Sequence, residues 1–170
     1  MPEQPVRLLF IGQAPSRETD GLPPFVGKCG RFLAELLGTT QEAMLRDYDF
    51  LNVLERWPGR GVHGDLFPMP EAKERAKLLL DGPCRGRAVV LLGNSVARAF
   101  GLKRFQYMEL YQVREDADPT QVKVPLVTVI PHVSGVVRHW NRPEARLAAA
   151  KFLRELTSVK FESAGGQVAQ

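Results

Sequence analysis

Val6 to Gly38, VRLLFIGQAPSRETDGLPPFVGKCGRFLAELLG, is the stretch whose reading decides the fold. Val6 to Ile11 is apolar apart from one Arg, which suits a central strand covered on both faces. It runs into a turn of mostly small residues, Gly12, Gln13, Ala14, Pro15 and Ser16, then a polar loop. The corner Pro23-Pro24-Phe25-Val26-Gly27 follows, and from Gly30 to Leu37 the residues Phe32, Leu33, Leu36 and Leu37 recur at helical spacing. Gly38 supplies the stop. In an open α/β sheet, ligands bind just beyond the carboxyl ends of the strands. A loop this long, with its own glycines, prolines and Phe, is therefore expected to build a site. Pro131-His132-Val133-Ser134-Gly135 follows a second apolar strand late in the chain, and the two loops are expected to face each other across one pocket.

Outward from that stretch, strands and helices alternate. Thr39 and Thr40 can cap a short helix over Gln41–Arg46, and Phe50–Leu54 reads as a second strand carrying Asn52. Trp57–Pro70, rich in Gly, Pro and basic residues, reads as a surface loop. Glu71–Leu80 places Ala72, Ala76, Leu79 and Leu80 on one helical face behind Pro70. Arg87–Leu92 is the most apolar strand, followed by a helix over Ser95–Phe100, a twisted edge strand over Tyr107–Arg114 and a polar turn over Asp116–Thr120. Val122–Ile130 is the last strand, and Arg142–Leu156, with Pro143 near its start, the last helix. The pattern predicts a three-layer α/β/α sandwich around a mainly parallel central sheet. One domain over 1–170 is expected, with a loose lead-in at 1–5 and a loose tail at 163–170.

The 170 residues are 44% hydrophobic and 25% charged, an ordinary balance for a soluble globular chain. No apolar run reaches membrane-spanning length, and the first residues lack a signal-peptide pattern, so no membrane partner and a cytoplasmic location are expected. The net charge of +4 permits a polyanionic partner without demanding one, because the basic residues are spread rather than blocked. Cys29 and Cys84 have no pairing or metal-ligand spacing and read as buried free thiols. A zinc site with His63 beside them is set aside for want of four ligands at recognisable spacing.

At this point the motifs resemble a known family. GQAPSRETDGLPPFVGKCG is similar to the first motif and pyrimidine-stacking corner of the uracil-DNA glycosylase superfamily, and most resembles its family 4 pattern, G-E-A-P-G followed by G-x-P-F-V-G-x-A-G. FLNVLERWPG resembles that family's N-V-x-K-x-R-P segment, and VVLLGNSVARAFGL its apolar strand, L-G and helix. PHVSGVVR is similar to the H-P-S-A-L-L-R loop that carries the superfamily's catalytic histidine and DNA wedge. Four motifs in the family's order cover most of residues 6–156.

The resemblance implies a monomeric DNA glycosylase that flips uracil or a 5-substituted pyrimidine out of DNA and hydrolyses its N-glycosidic bond. Phe25 would then stack on the flipped base, and Asn52, whose amide donates and accepts at once, would pair with its edge. His132 would stabilise charge developing on the base O2. Gly12, Gln13, Ala14, Pro15 and Ser16 would line the base. Ser134 would hold a phosphate, with Gly135 beside it in the DNA-binding loop, Val136 and Val137 would fill the gap left by the base, and Arg138 would pair with the DNA backbone. Read from the residues alone, Phe25 as core, Asn52 as a strand-end turn former, His132 as structural and Arg138 as a solvated cation are the competing readings.

The chain departs from the family pattern in five respects, one of them Val133, which replaces the usual Pro after the histidine and frees a backbone N–H. Ala14 stands where one branch has a water-activating Asp, and Gln13 stands where family 4 has Glu, so no carboxylate occupies either position. Glu18 and Asp20 are the remaining candidates for water activation, beside a dissociative path with little base assistance. Two cysteines cannot build the four-cysteine iron–sulfur cluster of family 4, so no cofactor is expected. Ser16 replaces the Tyr that blocks the thymine methyl in the strictest uracil enzymes, and this should admit 5-substituted bases.

Two alternatives stand beside this reading. With Gln13 and Ala14 together, the chain is a candidate flipped-base or damage sensor without turnover. The third is a serine hydrolase, since Leu92-Gly93-Asn94-Ser95 lies at a strand-to-helix turn and Asp116 or Asp118, then His132, follow in the required order. Ser95 as a helix cap is the simpler account of that turn.

Overall fold

The computed structural model describes residues 7–113, 125–134 and 137–158. Its centre is a five-stranded sheet. The strands are β1 (Leu9–Gly12), β2 (Asp49–Asn52), β5 (Ala88–Leu92), β6 (Leu110–Gln112) and β7 (Leu126–Ile130). Their order is β2-β1-β5-β7-β6, parallel throughout except for the antiparallel edge pair of β6 with β7. The helices are α1 (Lys28–Leu37), α2 (Gln41–Asp47), α3 (Met69–Asp81), α4 (Asn94–Ala99) and α5 (Pro143–Ser158).

Alternation along the central strands sorts their side chains into two cores. Leu9, Ile11, Val89, Leu91, Val127 and Val129 pack with Ala72, Ala76 and Leu79 of α3 and Val96 and Ala97 of α4. Phe10, Val90, Leu92 and Ile130 pack on the other face with Leu33 and Leu36 of α1, Met44 of α2 and Leu153 of α5. Every residue of β1 and β5 is buried, as strands covered on both faces require. This is the expected three-layer arrangement around a mainly parallel sheet.

Local signals place several boundaries. Gly38 closes α1 in the left-handed conformation, with a φ of 68°. The Thr40 hydroxyl accepts the Ala43 amide at 3.1 Å and caps α2. Pro70 lies in the first turn of α3 and Pro143 begins α5.

Other boundaries differ from the sequence reading. The first strand begins at Leu9 and takes in Gly12, and β2 runs Asp49–Asn52, ending at Asn52 rather than at Leu54. The supposed loop 57–70 contains a small hairpin, β3 (Arg60–Gly61) with β4 (Gly64–Asp65), and α3 already starts at Met69. Two 3-10 turns, Arg17–Thr19 and Arg138–Asn141, had no periodicity to announce them. The last strand starts at Leu126; residues 122–124 lie outside the described residues. No helix among the described residues is long and apolar enough to cross a membrane.

Candidate functional site

Parallel strands deliver their carboxyl ends to one edge, and the motif residues collect there. Gly12 ends β1 directly opposite Asn52, which ends β2. The crossing is locked past the strand ends, where the Val53 amide donates to the Gly12 carbonyl and the Leu54 amide to the Gln13 carbonyl, each at 2.9 Å. A Cβ on Gly12 would lie 2.7 Å from Asn52 Oδ1 and 2.9 Å from the tip of the Phe25 ring. Only a residue without a side chain lets the amide and the ring approach β1 together.

Phe25 reaches this position in an unusual backbone state. Its φ is 64°, the left-handed region that costs a bulky residue about 1–3 kcal/mol. Behind it the Phe50 ring lies 5.2 Å away and is itself stacked on Phe10 at 5.4 Å, so an aromatic row runs from the core to the site. The Gln41 amide donates to the Phe25 carbonyl at 2.7 Å and the Gly27 carbonyl at 3.1 Å.

The opposite wall rises from β5 and β7. The Gly93 amide donates to the Ile130 carbonyl at 2.9 Å, and a Cβ on Gly93, whose φ is 97°, would sit 3.0 Å from His132 Cβ. His132 is half-buried, and its Nδ1 accepts the Ser134 amide at 3.2 Å. An imidazole that accepts at Nδ1 carries its proton at Nε2, which is therefore a donor. Burial also pushes the His132 pKa below its ordinary 6.5, favouring the neutral ring. The His132 carbonyl is held by the buried Trp140 indole N–H at 2.8 Å, and Arg146 donates in turn to the Trp140 carbonyl at 2.6 Å. Asn52 ends β2 and His132 lies two residues past the end of β7, strands three spacings apart, roughly 14 Å at about 4.8 Å per strand. Each presents an amide or an N–H donor at the same sheet edge, a combination able to read a planar polar ring and stabilise charge leaving it.

The remaining candidates divide. Pro15 is buried and Gln13, Ala14 and Ser16 are half-buried in the turn after β1. The Ser16 hydroxyl turns back on Thr19 Oγ1 at 3.0 Å. Asp20 accepts two Arg56 bonds at 2.8 and 2.9 Å and the Trp57 amide at 2.9 Å. Those partners, Arg56 first, hold its carboxyl down at about 2. Glu18 is exposed on the 3-10 turn, its pKa lowered by its own backbone amide and the Ser16 hydroxyl. Val137 is half-buried against the core beneath the His132 loop, and Arg138 is exposed. Gly135 and Val136, expected in the DNA-binding loop and the wedge, lie outside the described residues, as do Asp116 and Asp118.

Three contributors escaped the sequence reading: Gln41 behind Phe25, Arg56 on Asp20, and Tyr107, whose hydroxyl donates to Asn94 Oδ1 at 2.5 Å beside Gly93. All but Tyr107–Asn94 act through a backbone or loop contact with no local spacing to mark it. The cysteines do not fit an iron–sulfur cluster. Cys84 is buried in the core on the α3 face and Cys29 packs on the opposite face, so the sheet separates them. No group of three metal-ligating side chains occurs among the described residues.

Compared with models of known families, residues 2–157 match the one described as the uracil DNA glycosylase superfamily. No curated protein matches the chain.

Proposed function

The chain belongs to the uracil DNA glycosylase superfamily, and from that premise we propose that it excises uracil or a 5-substituted pyrimidine from DNA by hydrolysing the N-glycosidic bond. The observation that carries this reading is the Ser134 amide on His132 Nδ1, which leaves the ring proton at Nε2, with burial favouring the neutral form. As the bond breaks, negative charge gathers on the base, and a preorganised donor at O2 lowers that barrier. A neutral donor in a desolvated site does this without the cost of burying a cation. Phe25 stacks on the flipped base and Asn52 pairs with its edge. Unstacking costs a few kcal/mol, roughly, which these contacts offset.

Leaving-group stabilisation carries this mechanism rather than base-activated water. Gln13 and Ala14 hold no carboxylate, and a carboxyl held at about 2 by Arg56 makes Asp20 a poor proton acceptor. The sugar thus passes through a cation-like state that water captures late. Ser16, folded back on Thr19, leaves the 5-position of the ring unguarded, which supports acceptance of 5-substituted bases.

The same missing carboxylate favours a second reading, a flipped-base sensor without turnover. The serine-hydrolase alternative is weakened by the tautomer, because a triad histidine donates from Nδ1 to its acid whereas this Nδ1 accepts. The test is a panel of single- and double-stranded oligonucleotides bearing uracil, 5-hydroxymethyluracil or thymine, followed by alkaline cleavage. Abasic product that disappears in a folded His132→Ala variant supports excision. Tight binding with no product supports the sensor.

A further inference from the structure

We propose that Gln41 is a positioning residue for Phe25 and, through it, sets how strongly the site prefers a base over an empty sugar. The inference rests on the reading of Phe25 as the stacking wall. Gln41 opens α2, and a residue in a first helical turn ordinarily faces solvent; here it is half-buried and crosses to the corner that precedes α1. Both hydrogens of one amide nitrogen are spent on that corner, one on the Phe25 carbonyl at 2.7 Å and one on the Gly27 carbonyl at 3.1 Å. The first of those carbonyls belongs to Phe25 itself, whose backbone is left-handed at a φ of 64°, and the second lies two residues on.

The corner is closed from the other side by Gly30. A Cβ there would fall 1.7 Å from the Phe25 carbonyl oxygen and 2.7 Å from Gln41 Nε2. Phe25 is thus held where L-residues rarely stay, its carbonyl taken by Gln41 while the Gly27 carbonyl accepts both Gln41 and the Arg31 amide, the latter at 3.2 Å. Strain of this kind persists only when its surroundings over-determine it, and it falls on the residue whose ring stands beside Gly12 and Asn52. Released, the backbone relaxes toward negative φ and swings the ring away from β1.

The chemistry restricts what can replace Gln41. Its isostere Glu puts a carboxylate against two carbonyl oxygens, and Leu supplies no donor. Full-length Gln41→Glu is compared with wild type for binding to two duplexes, one bearing a non-hydrolysable 2′-fluoro-2′-deoxyuridine and one a tetrahydrofuran abasic site. The base-bearing duplex is expected to lose about tenfold in affinity, the scale of one base–aromatic stack. The abasic duplex should stay within about twofold, since backbone contacts are intact. In a Phe25→Ala background, Gln41→Glu should change neither, because the ring it positions is gone. A proton NOE between the Phe25 ring and Gly12 Hα should be present in wild type and lost in the variant.

Equal loss on both duplexes, or a persisting NOE with unchanged preference, overturns the proposal. Gln41→Leu replaces Gln41→Glu if the charged variant does not fold, and failure of both to fold overturns it in favour of a general structural role. If wild type itself binds both duplexes alike, the base-excision reading fails while the NOE still decides what Gln41 does.

Discussion

The Ser134 amide donates to His132 Nδ1 at 3.2 Å, and this one contact selects the tautomer of the residue on which the proposed chemistry depends. Burial lowers the His132 pKa in the folded chain below 6.5. Between the folded and unfolded values only the unfolded chain takes up the proton, so stability is full above 6.5 and is lost as pH falls through the folded value. Excision is expected to fall along the same acid limb, because a proton on Nδ1 displaces the Ser134 amide. Thermal midpoints from about pH 5 to 8 for wild type and His132→Gln check this. His139, also lowered by burial, is common to both proteins, so the difference isolates His132. Parallel curves would refute it.

Gly12→Ala puts a methyl group 2.7 Å from Asn52 Oδ1 and 2.9 Å from the Phe25 ring. Overpacking of this kind costs about 1–3 kcal/mol. The variant should lose affinity for base-bearing DNA while its affinity for abasic DNA changes little. Fluorescence anisotropy with the two duplexes measures the difference.

Asp20→Asn and Glu18→Gln are each expected to leave the single-turnover excision rate within about tenfold of wild type. Removal of a true general base costs about 10²–10⁴-fold. The Asn variant should nonetheless lower the thermal midpoint, because it weakens the Arg56 pair that ties the 3-10 turn to the segment after β2. A loss of a hundredfold in either variant would identify the base.

Trp140→Phe keeps an aromatic ring opposite Phe32, which lies 5.5 Å away, but strips the indole donor from the His132 carbonyl. An unpaired buried carbonyl costs about 1–3 kcal/mol. Because the loop loosens around His132 and not around Phe25, kcat should fall more than KM rises. Steady-state kinetics on a uracil or 5-hydroxymethyluracil duplex decides between them.

Thr128 is fully buried on β7, and its hydroxyl has no hydrogen-bond partner among the described residues. Thr128→Val removes the unpaired group and should stabilise the fold by about 1 kcal/mol. A higher urea midpoint at unchanged slope is the expected result.

Legibility followed the range of the forces involved. The strand–helix alternation could be read because burial on both faces demands apolar runs in β1 and β5, and helix ends could be read at Gly38 and Thr40 because capping is local. The order of motifs carried the family. The hairpin of β3 and β4 was hidden because two-residue strands are too short to show a period.

Sequence alone therefore determined the layers, the sheet edge that gathers Gly12, Asn52 and His132, and the residue types offered to a ligand. Tertiary structure decided what those residues can do. Asp20 became a structural anchor only because Arg56 and Trp57, 36 and 37 residues away, meet it across the loop. Phe25 combines a left-handed φ with a carbonyl captured by Gln41, 16 residues on. The carbonyl of His132 is held by Trp140, eight residues further along. Periodicity and capping are properties of neighbours in the chain, whereas a proton's place on an imidazole or a ring's angle to a strand depends on whichever groups the fold brings alongside.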